Sequence, residues 1–237
     1  MARLLYDLAG AEDDRRFSPY CWRVKMALAH KGLEVDTVPW RFTEKEVIAF
    51  SGQGSVPVLV DGDRVISDSW AICTYLDEAY PARPLAAGAQ ARAQASFIRH
   101  WSERVLHAAL FRIILLDILA TAHPKDRAYF RASREQRVGT TLEAFVADRP
   151  AHLAALHKAL DPLRATLRAE PYLGGAEPGL ADYVVFGAFQ WARCTSPVVL
   201  LTADDPVHAW RERLLSLHEG LAARAPGYPT VRAESQR

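Results

Sequence analysis

Residues 54–80, GSVPVLVDGDRVISDSWAICTYLDEAY, leave this chain few folds to choose from. Residues 56–60 read as a strand with a proline at its entrance, a place where a missing N–H does little harm to a ladder. Asp61-Gly62-Asp63 supplies a tight turn of the kind that joins antiparallel strands, and Arg64-Val65-Ile66 returns as the second strand. Ser67-Asp68-Ser69 stands where a helix should start. From Trp70 onward the apolar residues Ile72, Leu76 and Ala79 fall at helical spacing. A cis Val56-Pro57 bond would turn the preceding backbone outward as an edge for pairing with a peptide. At the far end, Asp68, Ser69 and the free N–H groups of the helix start make a small trap for a carboxylate.

Upstream, residues 3–7 read as a short strand, followed by a loop carrying Glu12-Asp13-Asp14-Arg15-Arg16. That loop is longer than usual and either is simply solvated or overhangs a ligand cleft. Ser18-Pro19 opens a helix with a hydroxyl at the N-cap and proline at the first position. The helix carries Cys21, Val24 and Leu28 on one face and closes with His30-Lys31-Gly32. Residues 33–40 are predicted as a second strand and 43–50 as a short polar helix. The order is βαβαββα.

This unit resembles the thioredoxin-like half of the cytosolic glutathione S-transferases. The residues that carry the likeness are Val56-Pro57-Val58-Leu59, then Asp68-Ser69-Trp70-Ala71-Ile72, ending in Tyr75-Leu76-Asp77-Glu78-Ala79-Tyr80-Pro81. Residues 1–82 are then a glutathione-binding α/β domain and 83–90 a linker, as the composition of PARPLAAG also suggests. Residues 91–237 form an all-α C-terminal helical domain that contributes the second-substrate pocket. Strand signals stop there, and helical spacing covers 90–119, 125–147 with a break near Gly139, 151–169 with a bend at Pro162, 180–193 and 206–224. Strands mixed with helices, then helices alone, argue for two segregated units.

Composition excludes more than it assigns. The 237 residues carry 29 Lys and Arg against 28 Asp and Glu, which gives no support for nucleic-acid binding. No run approaches the ~20 apolar residues of a membrane span; residues 105–122 are interrupted by His107, Arg112 and Asp117. MARLLYDLAG is too short and too polar for a signal peptide. Cys21, Cys73 and Cys194 are odd in number and far apart, against a disulfide framework. A cytoplasmic, reducing compartment is the simplest expectation, and no metal site is expected.

Ser18 is the sharpest candidate for chemistry. A hydroxyl at a helix N-terminus sits at the positive end of the helix dipole and can donate to an anion held there. On local sequence an ordinary N-cap is the commoner role for such a serine; the resemblance implies instead a catalytic serine that favours the thiolate of glutathione. Ser18-Pro19-Tyr20-Cys21 looks like the C-P-Y-C of glutaredoxins without its first cysteine. Cys21 also lies on the apolar face of its helix, as a buried structural thiol would. The resemblance further implies that the Val56 backbone pairs with the cysteine of glutathione and that Asp68 and Ser69 hold its γ-glutamyl end. Gln53 and Ser55 stand where the family reaches the glycine end; neither is cationic, and Arg41 either supplies the missing charge or is merely solvated. Trp101, His107, Phe111, Arg112, Tyr183 and Trp191 either line the pocket for a hydrophobic, aromatic second substrate or pack the core.

Ser18 through Arg23 and Asp68-Ser69-Trp70 look most like the bacterial β-aryl etherase-type and fungal etherase-related transferases. The resemblance implies a homodimer, with Arg64, Trp70, Tyr75 and residues 90–101 near its interface. It implies attack of a glutathione thiolate on an electrophilic, aromatic carbon, by conjugation or by reductive ether cleavage. The alternatives are a non-catalytic protein that binds glutathione or phenolic ligands, and a thiol transferase working through Cys21.

Overall fold

The computed structural model describes residues 3–231. The predicted helical half runs to residue 237; residues 232–237, with residues 1 and 2, lie outside the described residues. The N-terminal half holds a four-stranded mixed sheet of β1 (Arg3–Leu8), β2 (Asp36–Trp40), β3 (Val58–Asp61) and β4 (Arg64–Ser67), in the order β2-β1-β3-β4. β1 runs parallel to β2, with Leu5 opposite Thr37, and antiparallel to β3, with Leu5 opposite Leu59. Leu5, Val58 and Leu59 are fully buried, as expected for central strands whose side chains meet a covered face. The Asp61–Arg64 turn closes the β3–β4 hairpin. Asp61 is held in turn by Tyr75 and Tyr80 hydroxyls at 3.1 and 2.5 Å and by Arg3 at 3.1 Å.

Helix α1 (Pro19–Lys31) starts at Ser18, whose Oγ accepts the Cys21 N–H, and ends at Gly32 with φ 69°, a left-handed cap that a side chain rarely adopts. Helix α2 (Ser69–Ala79) is capped by Asp68, whose Oδ1 accepts the N–H groups of Trp70 and Ala71 at 2.9 and 3.0 Å. The Val56-Pro57 bond is cis. One expectation is corrected here. The helix predicted over 43–50 is a 3-10 segment, Lys45–Ser51, that buries only Ile48 and stops at Gly52 in the left-handed conformation. With one apolar anchor, little holds a full α-helical turn against the sheet.

The helical half begins with α3 (Gly88–Trp101), whose approach is fixed by Asp77 accepting the backbone N–H groups of Leu85 and Ala86. The long helix predicted over 90–119 runs on without interruption, its α3 portion joined to α4 (His107–Thr121) through a π-turn at Ser102–Leu106. Then follow α5 (Arg127–Val138), ended by Gly139 at φ 73°, the short α6 (Leu142–Phe145), α7 (Arg149–Ala159) and α8 (Asp161–Ala169). The bend foreseen at Pro162 is the junction between α7 and α8. Helix α9 (Leu180–Thr195) is the spine of this half and α10 (Pro206–Gly220) covers it. Asp182, fully buried on α9, accepts the N–H of Gly179 at 3.1 Å, of Leu173 at 2.9 Å and the indole N–H of Trp210 at 2.8 Å. The bond from Gly179 is the half of a capping box that Asp182 can make, the other half needing a side-chain oxygen that glycine lacks, and the other two bonds tie the start of α9 to residue 173 and to α10.

The halves meet where α1 packs on α9. A side chain at Gly187 would place its Cβ 2.3 Å from the Pro19 carbonyl oxygen, so only glycine lets the helices approach this closely. Among the described residues, no helix is long and apolar enough to cross a membrane.

Candidate functional site

A cavity of about 650 Å³ lies between the two halves. The sheet half contributes Ser18, Pro19 and Tyr20 from the start of α1, and Ser55 and Val56 from the segment before β3. Ser18 is buried and its Oγ accepts the Cys21 N–H at 3.2 Å. As an acceptor there, the hydroxyl still holds a proton to donate. The Val56 N–H and C=O make no hydrogen bond among the described residues, because β3 pairing begins only at Val58. The site therefore joins a donor at a helix N-terminus to an unpaired extended edge.

Cys21 lies one turn from Ser18 but is sealed from solvent. Burial pushes its thiol pKa well above the ordinary value, with the Asp7 carboxylate adding to the effect and Ser18, the Leu8 backbone and Lys25 opposing it. Cys73 and Cys194 are likewise buried, with pKa values raised by burial to about 12 and about 11.

Asp68 and Ser69 stand at the start of α2 and do not line the cavity. Asp68 is exposed and commits only one carboxylate oxygen, Oδ1, to capping. The Ser69 hydroxyl is buried and accepts from Arg23 Nη1 at 2.9 Å. Arg23 also reaches Glu103 at 3.1 Å, and Glu103 lines the cavity from the π-turn. The Ser69–Arg23–Glu103 chain thus ties the predicted γ-glutamyl trap to the helical wall. Gln53 is exposed, with its N–H bonded to Ser51 Oγ.

Arg41 is spoken for. Its guanidinium donates to the Gly10 carbonyl at 3.1 Å, pairs with Asp13 and lies 3.8 Å from Glu44, so it fastens the charged loop before Ser18 and stays off the cavity lining. The cation that does line the cavity beside Ser55 is Lys45. Its ammonium group bonds the Gly54 carbonyl and stands 4.8 Å above the Trp40 ring. Burial, aided by the charge of Arg134, lowers its pKa. The available signal was simple: Lys45 is the one cation between Arg41 and Arg64.

On the helical side, of the residues left open between pocket and core, His107, Phe111, Arg112 and Trp191 line the cavity, whereas Trp101 and Tyr183 do not. Tyr183 is buried, with its hydroxyl 2.8 Å from His30 Nδ1. His107 packs between Tyr20 and Trp191, with ring centroids 5.4 and 5.9 Å away. Burial pushes its pKa down to about 3, the Arg23 charge adding to the effect, so the imidazole is neutral. Phe111 stacks on Trp191 at 6.2 Å. Sequence reasoning missed Tyr129, Phe130, Arg134, Arg137 and Phe145, all of which line the same wall. Among the described residues no group of three or more His, Cys, Asp or Glu side chains is placed to hold a metal ion.

Residues 14–84 match the family model of the glutathione S-transferase N-terminal domain, and residues 93–224 that of the C-terminal domain. Glutathione S-transferase 3 of Zea mays is 30% identical over 224 residues, which cover 91% of this chain and 90% of that protein. Glutathione S-transferase Z1 of Arabidopsis thaliana is 46% identical over 68 residues, 27% of this chain; the match spans only 31% of that relative's length. A glutathione S-transferase of Ceriporiopsis subvermispora, solved in complex with glutathione, superposes with a TM-score of 0.77 at 23% identity, covering 92% of this chain and 97% of that one. At that identity the likeness is one of fold.

Proposed function

The chain belongs to the glutathione S-transferase family, and we propose that it activates the thiol of glutathione for attack on an electrophilic aromatic substrate. The observation that carries this reading is the cavity wall shared by the Ser18 hydroxyl and the unpaired backbone of Val56. Val56 offers one N–H and one C=O to an extended peptide, the pairing that an added strand makes. The free Oδ2 of Asp68 suits the α-ammonium of a γ-glutamyl group, and the Ser69 hydroxyl suits its carboxylate. Lys45, with Ser55 and Gln53 nearby in sequence, suits the carboxylate at the glycine end. Bound glutathione supplies the nucleophilic sulfur. The Ser18 O–H donates to that sulfur, and the N-terminus of α1 adds its positive field; both favour the thiolate at neutral pH.

Aromatic rings on the helical wall support an aromatic second substrate, and the serine at 18 supports an etherase-type member, in which the displaced group is a phenolate. The chemistry is then either conjugation or reductive cleavage of a β-aryl ether. A thiol transferase working through Cys21 is disfavoured because that thiol is sealed and held protonated. We further read the protein as a cytoplasmic homodimer: Phe97 on α3 is 74% exposed and Val65 on β4 is 45% exposed, on the segments expected at the interface.

The test is Ser18→Ala. Loss of one donor to developing charge should lower turnover of chlorodinitrobenzene about a hundredfold, with glutathione affinity by calorimetry within about twofold. Full turnover in this variant would remove Ser18 from the mechanism. Glutathione binding in a protein that turns over neither aryl halides nor aryl ethers would establish the non-catalytic alternative.

A further inference from the structure

Three guanidinium groups line the helical side of the cavity without a carboxylate partner. Arg112 on α4 and Arg134 and Arg137 on α5 make no ion pair among the described residues, whereas Arg131, also on α5, is bound by both Glu135 and Glu143. The only acid on the lining, Glu103, is already shared between Arg23 at 3.1 Å and Arg99 at 3.3 Å. Lys45 adds a fourth cation. A chain whose formal net charge is +1 has concentrated uncompensated positive charge in one concave place.

Each of the three arginines lies over an aromatic ring that also lines the cavity. Arg112 is 4.4 Å from the Phe145 centroid, Arg134 is 4.6 Å from Phe130 and 5.2 Å from Phe42, and Arg137 is 5.7 Å from Phe111. Stacking fixes the guanidinium plane and leaves its N–H edge to recognise a planar acid. Arg134 donates only to its neighbour Ser133 Oγ, at 2.9 Å, and its other N–H groups have no acceptor among the described residues. Arg134 and Arg137 are three residues apart on α5, a spacing that sets like charges side by side at a cost unless an anion lies between them. Burial lowers the pKa of Arg134 with the Arg137 charge adding to it, and what opposes them is the Tyr129 hydroxyl and not a carboxylate.

We propose, resting on the transferase reading above, that the second substrate is an aromatic electrophile bearing a carboxylate. Its ring lies among Phe111, Phe130 and Trp191, and its carboxylate is held by Arg134 and Arg137. In the reaction, the thiolate sulfur forms a bond to the electrophilic carbon while the leaving group departs from that carbon with its electron pair. The carboxylate takes no part in the bond changes; it orients the ring.

The test compares chlorodinitrobenzene with its acid analogue, chlorodinitrobenzoate, each rate divided by its uncatalysed reaction with glutathione in the same buffer. For both, carbon–sulfur bond formation expels chloride. The wild-type ratio of kcat/KM, acid over neutral, should exceed one by about tenfold or more, the size of one charge-assisted hydrogen bond. It should shrink as salt is added. In Arg134→Gln and Arg137→Gln the ratio should fall toward one, with partial recovery in Arg134→Lys. A ratio near one in the wild type, or unchanged in both variants, overturns the proposal. So does a loss confined to a higher KM for glutathione, which would assign these arginines to the tripeptide. If neither compound is turned over, the transferase reading is decided separately by aryl ethers, and fails if these are also left intact. Calorimetry with unreactive dinitrobenzoate and dinitrobenzene then decides the anion site: preference for the acid that Arg134→Gln abolishes supports it, and equal binding overturns it.

Discussion

The two walls of the cavity are built from different materials. The sheet-side wall, although Phe17, Tyr20, Trp40, Phe42 and Lys45 also border it, presents backbone edges, a helix N-terminus and short hydroxyl groups at Ser18, Ser55 and Val56. The facing wall is made of rings and long cationic side chains from α4, α5, α6 and α9. The first presents donors and acceptors whose positions follow from the path of the main chain. The second presents shape and charge whose positions depend on rotamers and on which helix faces which. A wall of the first kind suits a ligand that never changes; one of the second kind suits a partner that differs between relatives.

The largest effect should come from forcing the walls apart. Gly187→Val would drive a side chain into the Pro19 carbonyl, 2.3 Å from the Cβ position. Overpacking of this kind costs about 3 kcal/mol. Thermal denaturation should show it, and turnover should fall beyond what the folded fraction explains, since Ser18 precedes Pro19. An unchanged melting temperature would show that the α1–α9 contact is soft. A smaller and more selective loss should follow Asp68→Asn. Asparagine caps a helix as well as aspartate does, so stability should hold while the charge is removed. Glutathione affinity by calorimetry should drop about tenfold, the difference between a charged and a neutral hydrogen bond.

The walls should also differ toward acid. His107 has its pKa held down to about 3 in the folded protein, against an ordinary 6.5. Between those values the unfolded chain binds a proton that the native protein does not, so stability falls as pH drops from about 6.5 toward about 3. His107→Phe should flatten that limb of a denaturation series; an identical limb would place the acid sensitivity elsewhere. The smallest effect belongs to Cys21→Ala. The thiol is sealed, so turnover should stay within about twofold, with about 1 kcal/mol lost from packing. A dead Cys21→Ala protein would reverse the assignment of Ser18.

The difference between the walls is also why one was easier to read in the sequence. Ser18 before Pro19, Gly32 after His30-Lys31, the Asp61–Arg64 turn and Asp68 ahead of Trp70 are local chemistry, and each stands where the residues imply. The reach of Asp182 back to Gly179 is local chemistry of the same kind, a carboxylate three residues into a helix meeting the helix's own start. The helical wall was harder. A π-turn and an α-helix share nearly the same apolar spacing, so the widened turn at Ser102–Leu106 left no mark in residues 90–119. Arg134 and Arg137 lie in a polar helix where every arginine looks solvated, and only the packing of α5 over the cavity distinguishes them from Arg131. Arg41 and Lys45 show the same limit at four residues' distance. Which cation turns inward was decided by Gly10 and Asp13 capturing Arg41, a contact between segments about thirty residues apart.

The seat of Gly187 on Pro19 has a consequence for how the protein is made. The two residues are separated by most of the polypeptide, and the ribosome adds about 5–20 residues per second. The sheet and α1 therefore emerge on the order of ten seconds or more before α9 exists to cover them. During that interval the newly made N-terminal half would expose an oily face, and a chaperone that shields it stands in for a helix still to be translated.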